Sequence, residues 1–152
     1  HAQGSQRSNR VVCAIEAPVC ARANAARNET VVERSSKTPR SSEQLWSVPS
    51  WLNIVRIDES GSHLLVENTT LGQISVDAPA TLVVLTIYNQ GKVQREVQLR
   101  DLLQTEAGRR AAAAAGAWGK ALGSPDSDIA RYLLATGEAV RVRLSSAQVV
   151  AE

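Results

Sequence analysis

The stretch Thr81-Leu82-Val83-Val84-Leu85-Thr86-Ile87-Tyr88-Asn89-Gln90-Gly91-Lys92-Val93-Gln94-Arg95-Glu96-Val97-Gln98-Leu99 decides the fold. From Thr81 to Tyr88 nearly every residue is apolar or β-branched, the composition of a strand buried on both faces. Asn89, Gln90 and Gly91 bring turn chemistry. Val93, Val97 and Leu99 then alternate with Gln94, Glu96 and Gln98, the period of a half-exposed strand, and Lys92, Arg95 and Glu96 read as its solvated face.

Upstream the hairpins continue. Asn53 to Asp58 reads as a strand, Glu59, Ser60 and Gly61 as a turn, and Ser62 to Glu67 as the returning strand. Asn68 to Gly72 is turn-like, Gln73 to Val76 a short strand, and Asp77, Ala78 and Pro79 a break. Leu45, Trp46, Val48, Trp51 and Leu52, interrupted by Pro49, form a strand and turn whose indoles cover one end of the core. Ser35 to Glu43 lacks apolar residues and reads as an exposed loop. Arg10 to Ile15 and Thr30 to Glu33 are Val-rich strands, with Ala21 to Asn28 between them as a loop or one helical turn. Residues 1–9 are expected to be a flexible N-terminus or a processing or tag remnant, and residues 10–152 one domain.

Downstream the pattern becomes helical. Leu99, Leu102 and Leu103 with Asp101 predict a short amphipathic helix stopped near Gly108. Arg109 to Lys120, with Ala111 to Ala115 in succession, has high helix propensity. Ser127 is placed to cap a third helix carrying Ile129, Leu133 and Leu134 and ending at Gly137. Val140, Val142 and Leu144 alternate with Arg141 and Arg143 as a last strand. The expected class is therefore α+β, an antiparallel sheet with two or three helices in the C-terminal half.

Composition narrows the function. The 152 residues carry 17 Lys+Arg against 15 Asp+Glu, a net charge of +2, and Arg109, Arg110, Arg141 and Arg143 are dispersed without stacking aromatics. Nucleic-acid binding is not expected. No apolar run approaches the roughly 20 residues of a membrane-spanning helix, so no membrane insertion is expected. The chain contains no Met and opens on His1, which points to processing, with His1 and Ala2 as the tail of a signal-peptidase site or a purification scar. Cys13 and Cys20 flank Pro18 at a spacing that suits a disulfide clamping a bent strand or hairpin, and hence export; two buried free thiols are the alternative.

Catalytic constellations are sparse. There is no phosphate-binding loop, dinucleotide fingerprint, nucleophile elbow or helical His pair, so no cofactor is expected. No metal is expected either, because His63 is the sole internal histidine. Cys13 or Cys20 with His63, or a Ser with His63 and Asp58, would be formal nucleophile–base sets. His63 beside a turn reads instead as a strand residue, and Asp58, Glu59, Asp126 and Asp128 as turn residues. What remains is a protein without enzymatic activity that binds a protein partner.

Trp46, Val48, Pro49, Ser50 and Trp51, followed by Asp58, Glu59, Ser60, Gly61, Ser62, His63, Leu64 and Leu65, form a Trp/Pro segment, a strand, an acidic-Gly hairpin turn and a returning strand. This stretch, continued through Leu103, resembles small periplasmic immunity proteins that neutralise peptidoglycan amidases delivered by type VI secretion. The resemblance implies a disulfide-bearing, β-rich periplasmic protein that blocks a cell-wall-hydrolysing effector. It places the plug at Asn68, Thr69, Thr70, Leu71 and Gly72, with His63 also on the partner-binding side. Thr69 and Thr70 on a hairpin tip would hydrogen-bond a Cys–His pair without offering a cleavable bond. The alternative is an envelope-assembly or structural domain that binds its partner through a sheet edge. Either role is compatible with a homo-oligomer.

Overall fold

The computed structural model describes residues 7–37 and 40–152. Among them, twelve strands form three antiparallel four-stranded sheets, each built from four consecutive strands. The first contains β1 (Arg10–Cys13), β2 (Val19–Asn24), β3 (Glu29–Lys37) and β4 (Arg40–Val48). The central sheet contains β5 (Ile54–Ile57), β6 (His63–Glu67), β7 (Val83–Asn89) and β8 (Lys92–Gln98). Two helices follow, α1 (Leu99–Leu102) and α2 (Glu106–Ala115), before the third sheet of β9 (Gly119–Leu122), β10 (Ile129–Leu134), β11 (Ala139–Arg143) and β12 (Gln148–Ala151).

The central sheet is apolar on both faces. Leu65, Leu85, Ile87 and Val97 pack in one core with Tyr132, Leu134, Val142 and Trp118 of the C-terminal part. Ile54, Ile57, Leu64 and Val66 pack in a second core with Val19, Ala21, Ala23 and Val32 of the first sheet. This two-sided burial is why β7 reads as an unbroken apolar run. A bulge at Val55 lets Ile54 face Val66 and Ile57 face Leu64, so residues three apart share one side. With no Phe or Met in the chain, the large side chains of the C-terminal core are Trp118 and Tyr132, whose ring centres lie 5.0 Å apart with the planes tilted by 51°.

The expected α+β class is overturned: 49% of the described residues are strand and 12% helix. The third predicted helix is β10. Ile129, Leu133 and Leu134 have helical spacing, but Ala130, Tyr132 and Leu134 are the buried residues, at period two. Pairing with β9 and β11 on either side decides between the two periods. Ser127 caps nothing; it is 2% exposed, and its hydroxyl accepts the Ile15 N–H at 2.7 Å. Nor does α2 reach Lys120. Thr105 caps its start, placing Gly108 in the first turn, and Gly116 in a left-handed conformation ends it.

Smaller corrections share one origin, pairing that local pattern does not show. Of the expected loop or helical turn Ala21 to Asn28, residues 21–24 belong to β2, whose small residues Ala21 and Ala23 are buried, and residues 25–28 form the turn into β3. Ser35 to Glu43 belongs largely to β3 and β4, paired Ser35 to Ser42, with residues 38–39 outside the described residues. Gln73 to Val76 contributes only the bridge from Gln73 to Ala117, and β12 follows the strand expected to be last. Of the N-terminal tail, residues 1–6 lie outside the described residues. Ser8 and Asn9 accept hydrogen bonds from the Trp51 indole and the Ala25 N–H.

Cys13 and Cys20 are directly opposed in β1 and β2 and form a disulfide. It closes the hairpin expected from their spacing and is compatible with an exported location. No described helix is long and apolar enough to cross a membrane.

Candidate functional site

The chain leaves the central sheet after Glu67 and makes a single 3-10 turn at Thr70–Gly72. This turn is held from below. Trp118 donates its backbone N–H to the Gly72 carbonyl and its indole N–H to the Thr69 hydroxyl, each at 2.8 Å. Ile74 N–H donates to the Gly116 carbonyl at 3.0 Å. On the near side, the Asn68 amide donates to the Thr86 hydroxyl at 2.8 Å. Gly72 is irreplaceable by geometry: with φ at +72°, a Cβ there would lie 2.3 Å from the Gly119 carbonyl oxygen.

Between these fixed points stands Leu71, 80% exposed and left-handed at φ +52°. That backbone conformation costs a non-glycine residue roughly 1–2 kcal/mol. The exposed side chain also forgoes the roughly 1.5–3 kcal/mol that burial would contribute. Neither expense stabilises the monomer.

Beside the turn lies a cleft of about 600 Å³, lined by Arg7, Ser8, Arg10, Trp51–Asn53 and Val66–Thr70. Glu67 sits in its wall. Burial raises the Glu67 carboxyl above its ordinary pKa, against the opposing influence of the Tyr132 hydroxyl, which donates to Oε2 at 3.3 Å, and of nearby Arg10. Tyr132 is itself pushed well up, chiefly by burial and then by the Glu67 charge. Arg10 donates from Nε to the Ile54 carbonyl at 2.6 Å. Trp51 packs on the second core and donates its indole N–H to the Ser8 carbonyl, while the Arg7 guanidinium lies 5.2 Å from its ring centre.

The sequence-predicted site residues divide. Asn68, Thr69 and Thr70 line the cleft, and Leu71 and Gly72 form the adjacent turn. Asn68 and Thr69, however, use their side chains internally. His63 is at the opposite end of β6, four residues from Glu67 and so about 13 Å away. Its Nδ1 faces Asp58 Oδ2 at 2.7 Å. Ser60 donates to Asp58, not to the imidazole, at 2.9 and 3.0 Å. The set has an orienting carboxylate and a histidine, but the hydroxyl is on the wrong partner for nucleophile activation.

Sequence reading missed Glu67, Arg10 and Tyr132. Glu67 did carry a signal, an acid directly following the apolar Leu64-Leu65-Val66. Arg10 carried none, because it reaches the cleft only through the pairing of β1 with its neighbours. No family model, curated protein or solved structure matches this chain.

Proposed function

We propose that the protein is a periplasmic immunity protein without enzymatic activity, which binds a peptidoglycan amidase delivered by type VI secretion and occludes its active site. The observation that supports this reading is Leu71: an apolar side chain held outward, in a costly conformation, on a turn braced by Trp118. Local strain combined with exposure at one residue is expected where a contact is prepared for a partner. Leu71 enters an apolar pocket of the amidase. Thr70, exposed beside it, brings a hydroxyl to the Cys–His pair, while Asn68 and Thr69 act as struts. Because the turn is already rigid, little ordering entropy opposes association.

Calorimetric titration against the purified amidase encoded beside this protein, with a cell-wall hydrolysis assay in parallel, tests the reading. Nanomolar one-site binding that abolishes hydrolysis, and that Leu71→Asp weakens by about a hundredfold or more, supports it. Absence of both binding and protection removes it. The second reading, an envelope-assembly domain that pairs with a partner strand, is favoured by the outer position of β4, where Ser42, Glu43 and Gln44 are exposed.

A further inference from the structure

Glu67 and Arg10 line the same cleft with opposite charges, yet they form no ion pair within 4.0 Å, nor does either pair with another described residue. Each is held by something else. Arg10 is anchored through Nε to the Ile54 carbonyl, and its two terminal nitrogens have no hydrogen-bond partner among the described residues. Glu67 receives the Tyr132 hydroxyl on Oε2, and Oε1 has no hydrogen-bond partner among the described residues. The Asn53 side-chain amide, on the same wall, makes no hydrogen bond to the described residues either. A partly buried carboxylate without a counter-ion opposes folding. A flexible Arg beside it would ordinarily swing across to pair with it. Here the Nε–Ile54 hydrogen bond draws the guanidinium away from that contact.

We infer that this cleft is a binding site for a short peptide with free ends, its ammonium on Glu67 and its carboxylate on the terminal nitrogens of Arg10. A simple anion would be repelled by Glu67 and a simple cation by Arg10, whereas a zwitterion satisfies both. The guanidinium fork matches a carboxylate. Asn53, between donor and acceptor roles, is suited to a peptide bond, and Trp51 supplies an apolar wall. At about 600 Å³ the cleft falls within the range of small-molecule sites and exceeds what one free amino acid fills. A short peptide therefore binds better than its constituent amino acid. Leu71 does not line this cleft, although the neighbouring Thr70 does, and the inference does not depend on the inhibitor reading.

The test is titration of the full chain with trialanine, followed by amide and indole chemical shifts and by calorimetry. Three further ligands run beside it: free alanine, N-acetyl-trialanine and trialanine amide. One-site binding of trialanine is expected, with shifts at Arg10, Asn53, the Trp51 indole and Glu67, and with each blocked peptide weaker by at least about tenfold. Free alanine is expected to bind more weakly than trialanine. Glu67→Gln and Arg10→Gln are each expected to lose a similar factor while retaining the wild-type circular dichroism. No shifts with millimolar trialanine would overturn the inference, and so would equal affinity for the blocked peptides. Alanine binding as tightly as trialanine would overturn the assignment to peptides. The blocked ligands keep the test decisive if either variant fails to fold.

Discussion

The indole N–H of Trp118 donates to the hydroxyl of Thr69 at 2.8 Å, while the backbone N–H of the same residue donates to Gly72 at 2.8 Å. One core residue thus grips the chain on both sides of Leu71. Thr69→Val keeps the shape and removes the acceptor, stranding a donor on a side chain that is 0% exposed. Chemical denaturation should show a loss of about 1–3 kcal/mol. An unchanged midpoint would mean that the hydroxyl is not a strut.

Two glycines with nearly equal φ should respond differently to a methyl group. Gly72→Ala forces a Cβ against the Gly119 carbonyl oxygen at 2.3 Å, whereas Gly116→Ala, at φ +79°, meets nothing within 4 Å. Gly116→Ala should cost about 1 kcal/mol, from backbone strain alone. Gly72→Ala should cost roughly 1–3 kcal/mol more. Thermal melts of the two variants side by side give the difference directly.

Leu71→Gly should separate stability from binding. Glycine adopts the left-handed conformation freely, so the melting temperature should hold or rise, by the equivalent of up to about 1 kcal/mol. On the proposed inhibitor reading, affinity for the amidase should nevertheless fall. A variant that is both less stable and fully inhibitory would refute the anchor role.

Reducing the Cys13–Cys20 disulfide, or replacing both residues with Ser, opens a short loop in the first sheet. The expected loss is roughly 2–3 kcal/mol. Thiol titration of the unreduced, denatured protein should find no reactive cysteine.

Glu67 makes a signed contribution to pH dependence. Its folded-state pKa is raised, mainly by burial, so between the ordinary glutamate value and the raised one the folded state keeps a proton that the unfolded chain has released. Stability from this group therefore falls as pH rises through that window, and the full penalty applies above the raised value. Glu152 acts oppositely. Hydrogen bonding to Arg131 lowers its pKa, so its contribution is lost as pH falls. Denaturation midpoints of the wild type and Glu67→Gln, taken from about pH 4 to about pH 7, should diverge in favour of the variant toward neutrality.

Much of the local order was legible. The Asn89–Gly91 turn, the Glu59–Gly61 hairpin, the Val140–Leu144 alternation and the Cys13–Cys20 clamp are short-range patterns, set by residues that touch near neighbours in sequence. The turn residues Asn68 to Gly72 could likewise be singled out from their composition. What their side chains do could not be, since Thr69 meets Trp118 and Asn68 meets Thr86 across the fold.

By itself, the sequence determined a predominantly apolar β7, the hairpins around it and the cystine, because period, turn chemistry and close spacing are properties of a few adjacent residues. The tertiary structure alone decided that Ile129 to Leu134 is strand and not helix, since pairing with both β9 and β11 overrides an ambiguous stripe. It alone brought Arg10, Trp51 and Glu67 to one cleft. Charges so distant in the chain meet only after the sheets have formed, and no local energy term records their meeting beforehand.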